Sequence, residues 1–138
     1  MNASDEHVAI VAGAGGELGR ATAEKLGAAG FTVVGVDRSE EGLKELPDGI
    51  LREAADPTDP AAARSVVDRI AAEVGPPEVL VNTIGMFHPG DALTVTPEDL
   101  RLMIDVNVGA ALWLTQAVVP YLRDRGGGAI VHVAARPG

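Results

Sequence analysis

The stretch Gly13-Ala14-Gly15-Gly16-Glu17-Leu18-Gly19 decides the fold. It joins the short, branched, apolar run Val8–Ala12 to a run of helix formers, 17–29, whose Leu18, Ala21, Leu26 and Ala29 share one face. A strand, a glycine-rich turn and a helix in that order begin a βαβ unit. Glycine lets the chain turn tightly there and lets backbone N–H groups approach a pyrophosphate. The helix N-terminus adds a partial positive charge.

Outward from that turn, strands and helices alternate. Gly30 stops the first helix. Residues 31–36 read as a second strand, 43–46 as a short helix closed by Pro47, and 49–54 as a third, weaker strand. Residues 60–74 carry Val66, Val67, Ile70 and Val74 at helical spacing and end at Gly75-Pro76-Pro77. Residues 79–82 form a fourth strand, and 84–95 an irregular loop leaving its C-terminal end. Thr96-Pro97-Glu98-Asp99 supplies a capping hydroxyl, a proline at the first helical position and first-turn acids, so a helix runs from there to about Leu122. Gly126–Gly128 turns the chain into a fifth apolar strand, 129–134. The strands lack polar alternation, which predicts a parallel sheet covered on both faces. The expected fold is therefore α/β: a doubly wound, Rossmann-like sheet of about five strands in the order 3-2-1-4-5, with residues 1–138 as one domain.

Composition narrows the function. Twenty acids against eleven bases give a net charge of −9, which argues against nucleic-acid and anionic-membrane partners. No cysteine is present, which excludes disulfides and thiolate chemistry. No run of 18 purely apolar residues occurs, so no membrane-spanning helix is expected. The short acidic N-terminus is unlike a signal peptide, and a cytoplasmic location is expected. No set of His, Asp and Glu residues has metal-ligand spacing.

Asp37 lies at the end of the second strand, 18 residues after Gly19. A carboxylate there accepts hydrogen bonds from both ribose hydroxyls of NAD and repels the 2′-phosphate of NADP. Arg38, next in the chain, softens that preference. NAD is thus the expected cofactor, with NADP second.

With four further segments the chain resembles the short-chain dehydrogenase/reductase family. Asp56-Pro57 is similar to its adenine-contacting acid, and Asn82-Thr83-Ile84-Gly85 to its Asn-Asn-Ala-Gly segment after strand four. Asp105-Val106-Asn107-Val108-Gly109 resembles the middle of its fourth helix, and Gly128–Ala135 its fifth strand. The resemblance implies cofactor contacts from Gly13, Gly16, Glu17, Leu18, Gly19, Asp37, Arg38, Asp56, Pro57, Asn82, Ile84 and Gly85. It also gives Asn107 the asparagine position of the catalytic tetrad.

Three departures qualify what the resemblance implies. Glu17 stands where the usual pattern has its second glycine, although Gly13, Gly16 and Gly19 keep a Gly-x-x-Gly-x-x-Gly spacing. At ~8 Å and an effective dielectric of about 20, that carboxylate repels one phosphate charge by roughly 2 kcal/mol, which weakens cofactor binding about tenfold or more. Ala135 occupies the place of the catalytic serine. The family's Tyr-x-x-x-Lys pair belongs to a helix after strand five, past Gly138. Tyr121 and Arg125 imitate its spacing, but they precede that strand. His132, in an apolar strand, reads as a packed, hydrogen-bonded core residue, and His88, on the long loop, as a solvated one.

The resulting expectation is an NAD(H)-binding half of an oxidoreductase, inactive alone and truncated relative to the family. The alternatives are a module that senses NAD(H) without chemistry and a protein-interaction domain with a decayed site. A methyltransferase, which also has a glycine-rich turn and an acid after strand two, would lack the ordered Asn82, Gly85 and Asn107. The helix 97–122 is apolar nearly all round, with Ile104, Val108, Leu112, Trp113 and Leu114 forming a ring, and strand five would be an edge. Both features predict self-association.

Overall fold

The computed structural model of the chain describes residues 6–135. Five parallel strands form one sheet in the order β3-β2-β1-β4-β5. They are β1 Val8–Ala12, β2 Thr32–Asp37, β3 Leu51–Ala54, β4 Pro77–Asn82 and β5 Ala129–His132. The strand order is the expected one.

β1 is the centre of the sheet, and all five of its residues are fully buried. Successive strand side chains point to opposite faces. Val8, Ile10 and Ala12 therefore enter a core with α3 (Pro60–Glu73) and α5 (Ala110–Asp124). Ala9 and Val11 enter a second core with α1 (Glu17–Ala28) and α2 (Glu40–Lys44). A strand apolar on both faces has no side to give to water, which is why the run lacks alternation.

Several boundaries differ from expectation. β2 runs one residue further, so Asp37 is its last residue. α2 begins at Glu40 because Ser39 caps it, its hydroxyl accepting from the Gly42 N–H at 3.1 Å. β3 is shorter at its start, and β5 stops at His132. The long loop contains one 3-10 turn, Ala92–Thr94, capped by Asp91.

The helix expected over 97–122 extends to Asp124 and is broken in the middle. α4 (Pro97–Ile104) passes into a π-helical turn, Asp105–Gly109, before α5. The whole stretch, 28 residues, is by length and composition apolar enough to cross a bilayer, which a search for uninterrupted apolar runs misses. One side of it is committed to the domain core through Ala110, Leu114, Ala117, Val118 and Leu122. The expected apolar ring is therefore split. Leu114 is buried and Trp113 packs against the core, while Ile104, Val108 and Leu112 remain about half exposed.

α4 starts with a capping box: the Asp99 N–H donates to the Thr96 hydroxyl at 3.1 Å, and the Thr96 N–H donates to the Asp99 carboxylate at 2.9 Å. Thr96→Ala should lower stability by about 0.5–2 kcal/mol, read by thermal denaturation. The backbone hydrogen bond from Thr96, then its hydroxyl, holds the Asp99 carboxyl below the usual carboxylate range. A depressed folded-state pKa contributes stability at higher pH that is lost as pH falls through it. The Thr96→Ala difference should therefore shrink under acid, below the ordinary range for aspartate. An unchanged difference down to full protonation would mean the carboxylate takes no part.

Candidate functional site

A cleft of about 370 Å3 opens at the C-terminal ends of the strands. It lies where the chain order turns, between β1, which leads to β2 on one side, and β4 on the other. That is where open parallel sheets bind ligands.

The glycine turn forms one wall. The Gly13 and Ala14 N–H groups donate to the Val36 carbonyl at 2.8 and 3.2 Å, folding the turn back over β2. Gly13 has φ +80°, a left-handed conformation that disfavours any side chain. Gly19 permits the closest approach: a Cβ there would collide with the Gly13 carbonyl oxygen. Gly16 is the N-cap of α1 and provides no side-chain cap to the first-turn N–H groups. Such a terminus suits an anion. Glu17 and Leu18 are exposed at this first turn, outside the cleft lining.

Asp37 stands on the cleft with both carboxylate oxygens engaged. The Gly15 N–H donates to Oδ2 at 2.9 Å and the Ser39 N–H to Oδ1 at 2.9 Å. These bonds tie the glycine turn to the end of β2 and leave each oxygen further lone pairs. Arg38 lines the cleft beside it. On the β3 side, Asp56 Oδ1 accepts from the Thr58 N–H at 3.0 Å and from its hydroxyl at 2.7 Å, and Pro57 is buried beneath the rim.

The floor comes from the end of β4. The Thr83 N–H and hydroxyl both donate to the Ala12 carbonyl at 2.9 Å, locking the two strand ends together. Asn82 is buried, and its Oδ1 accepts from the Ile84 N–H at 3.0 Å. Ile84 and Gly85 line the cleft, whereas Asn82 supports it from below.

Asn107 sits in the π turn and reaches back to the loop after β4. Its Oδ1 accepts from the Met86 N–H at 2.9 Å, and its Nδ2 donates to the Met86 carbonyl at 3.0 Å. This two-point grip fixes the path of Gly85-Met86.

Of the twelve expected cofactor contacts, Gly13, Gly16, Asp37, Arg38, Asp56, Pro57, Ile84 and Gly85 line the cleft. Glu17, Leu18, Gly19 and Asn82 do not. Thr58, Thr83, Met86, Leu102 and Val106 line it without having been anticipated. Leu102 and Val106 are four apart, the one helical-spacing signal that could have marked them.

The histidines differ from expectation. His132 is hydrogen-bonded but exposed, because β5 is an edge strand. His88 is three-quarters buried, its Nε2 lying 3.7 Å from Asp99 Oδ2. Tyr121 donates to Asp68 at 2.6 Å, and Arg125 donates to the Pro76 carbonyl at 3.0 Å. The two side chains thus point to separate partners, and Pro76 marks the opposite, N-terminal end of β4.

The comparisons agree with this architecture. The family profile described as short chain dehydrogenase matches residues 7–138. The chain is 36% identical over 137 residues to a short chain dehydrogenase of Pseudocercospora fijiensis, covering 92% of this chain and 44% of that protein. A 3-ketoacyl-(acyl-carrier-protein) reductase from Brucella melitensis, solved with NADH, superposes with TM-score 0.87 at 28% identity, over 96% of this chain and 58% of that one. Actinorhodin polyketide ketoreductase (F189W), solved with NADPH, superposes with TM-score 0.89 at 28% identity, over 98% and 55%. The chain spans about half the length of these relatives. It belongs to the short-chain dehydrogenase/reductase family and carries that family's oxidoreductase nucleotide-binding fold.

Proposed function

We propose that residues 1–138 form, as one domain, the NAD(H)-binding half of a short-chain dehydrogenase/reductase. The observation that carries this reading is Asp37, fixed at the end of β2 on the cleft and tied to the glycine turn that leads into the uncapped α1. NAD(H) would supply or accept the hydride. The chain's own residues would orient it: the glycine turn and the α1 N-terminus at the pyrophosphate, Asp37 at the ribose hydroxyls, Asp56 toward the adenine, Ile84 and Gly85 beneath. Repulsion between Asp37 and a 2′-phosphate favours NAD over NADP. Related folds carry NADH in one case and NADPH in another, so both cofactors belong in the test.

Calorimetric titration should show NAD binding more tightly than NADP, with Asp37→Ala removing the preference. Glu17→Gly should tighten NAD binding about tenfold by removing a carboxylate from the phosphate end. Equal affinity in that variant would remove the charge argument. Absence of binding at millimolar NAD would instead favour an interaction module, a reading supported by exposed Glu17 in the first turn. Within this stretch Asn107 holds the one tetrad position, and Ala135 offers no hydroxyl, so turnover by residues 1–138 alone is expected to be absent.

The exposed face of α4 and α5 is the proposed self-association surface. Leu100, Ile104, Val108 and Leu112 recur every four residues and are 46–59% exposed. Sedimentation at micromolar concentration should show oligomers that Val108→Glu dissolves. A monomer before the substitution would defeat this proposal.

A further inference from the structure

We propose that His132 is a positioning residue of the cleft, acting through Asn82 on the Ile84 amide. A chain of hydrogen bonds runs from the cleft floor through the strand edge to α5, and each link fixes the direction of the next.

The direction can be deduced from α5. Thr115 donates its single hydroxyl proton to the Ala111 carbonyl at 2.7 Å. Its oxygen can then only accept from His132 Nε2, 3.0 Å away. The ring proton therefore sits on Nε2, and Nδ1 presents a lone pair. From the other end, Asn82 Oδ1 accepts the Ile84 N–H, so the Nδ2 end of that amide faces His132 Nδ1 at 3.3 Å and donates to it. All donors and acceptors match in one arrangement. A proton on Nδ1 would set N–H against N–H.

Asn82 and His132 are register partners across β4 and β5, and the Val133 N–H donates to the Asn82 carbonyl at 3.0 Å. The side-chain link thus rides on fixed backbone. Asn82 is buried, so its amide has few alternative partners. Without His132 the amide is free to rotate, and Ile84 loses the acceptor that holds its N–H. Ile84 lines the cleft, so the effect on dinucleotide binding rests on the function proposed above.

Amide hydrogen exchange of the whole chain, read by NMR, tests the relay without any cofactor. In His132→Phe the Ile84 amide should exchange about tenfold faster, with the β1 amides unchanged. His132→Asn places an oxygen near the position of Nδ1 and should restore protection. His132→Gln reaches toward Thr115 instead and should not. The 15N shifts of His132 in the unmodified chain should report the neutral Nε2–H tautomer. Unchanged Ile84 exchange in His132→Phe, or an Nδ1–H tautomer, overturns the proposal. If the Phe variant does not fold, the tautomer and the Asn and Gln variants decide. NAD affinity should fall severalfold in His132→Gln and recover in His132→Asn. Should the unmodified chain take no NAD, the proposed function fails while Ile84 exchange still decides the relay.

Discussion

Gly19→Ala should prevent folding or cost at least ~3 kcal/mol, at or beyond the upper end of overpacking penalties. The sign is unusual. Within a helix, alanine is ordinarily better than glycine by about 1 kcal/mol. Here an added Cβ would collide with the Gly13 carbonyl oxygen, reach 2.6 Å from its carbonyl carbon and come within 2.8 Å of Ala14 Cα. All three are backbone atoms. They are held because Gly13 and Ala14 donate to Val36, so they cannot yield without opening the turn. Gly16→Ala is the control. Its Cβ would meet only the Gly13 oxygen, at an ordinary 3.5 Å, and φ there is −87°. Urea denaturation should show Gly16→Ala losing only about 1 kcal/mol, the cost of alanine at an N-cap, and should remove or strongly destabilise Gly19→Ala. Equal midpoints for the two would mean that α1 does not seat against the turn as described.

Leu114→Ala should cost about 2–5 kcal/mol, the range for a buried leucine that leaves a cavity. Leu114 is fully buried in the core built by β1, β4 and α3. At about 3–5 °C per kcal/mol for a chain of this length, Tm should fall by on the order of 10 °C or more. Leu112, two residues earlier, is 46% exposed in the single chain, and Leu112→Ala, compared with Leu114→Ala in the monomeric Val108→Glu background, should cost a few tenths to about 1 kcal/mol. Similar losses in the two variants would place the buried face of α5 elsewhere.

That pair also shows where the sequence stops being legible. Strand order and the glycine turn follow from local pattern, because β1 and β4 are largely apolar and three of the four turn residues 13–16 are glycine. A helix apolar nearly all round has no such marker, so Leu114 and Leu112 look alike until the sheet selects one face. The π turn is hidden for a related reason: Asp105–Gly109 has residues compatible with ordinary helix, and its widened geometry is visible only in the backbone and in the grip of Asn107 on Met86. Asp37 and Asp56 were legible as cleft acids because each sits just at or after a strand end. Thr83 and Thr58 were not, because their hydroxyls serve backbone and side-chain oxygens brought near by folding. The link from Asn82 to His132 spans 50 residues and exists only because β4 and β5 pair in one register.

The central place of β1 also sets a timetable for the chain as it is made. Its two neighbours are β2 and β4, and the second is finished only at Asn82. About 70 residues separate the end of β1 from that point, so at roughly 5–20 residues per second translation leaves the most buried strand half-paired for about 4–14 s. During that interval five consecutive apolar residues have no complete shelter, and such segments stick to one another. The surplus of acids already present by Asn82, fifteen against seven bases, then acts on the nascent chain, where mutual repulsion slows encounters between neighbours on the same message.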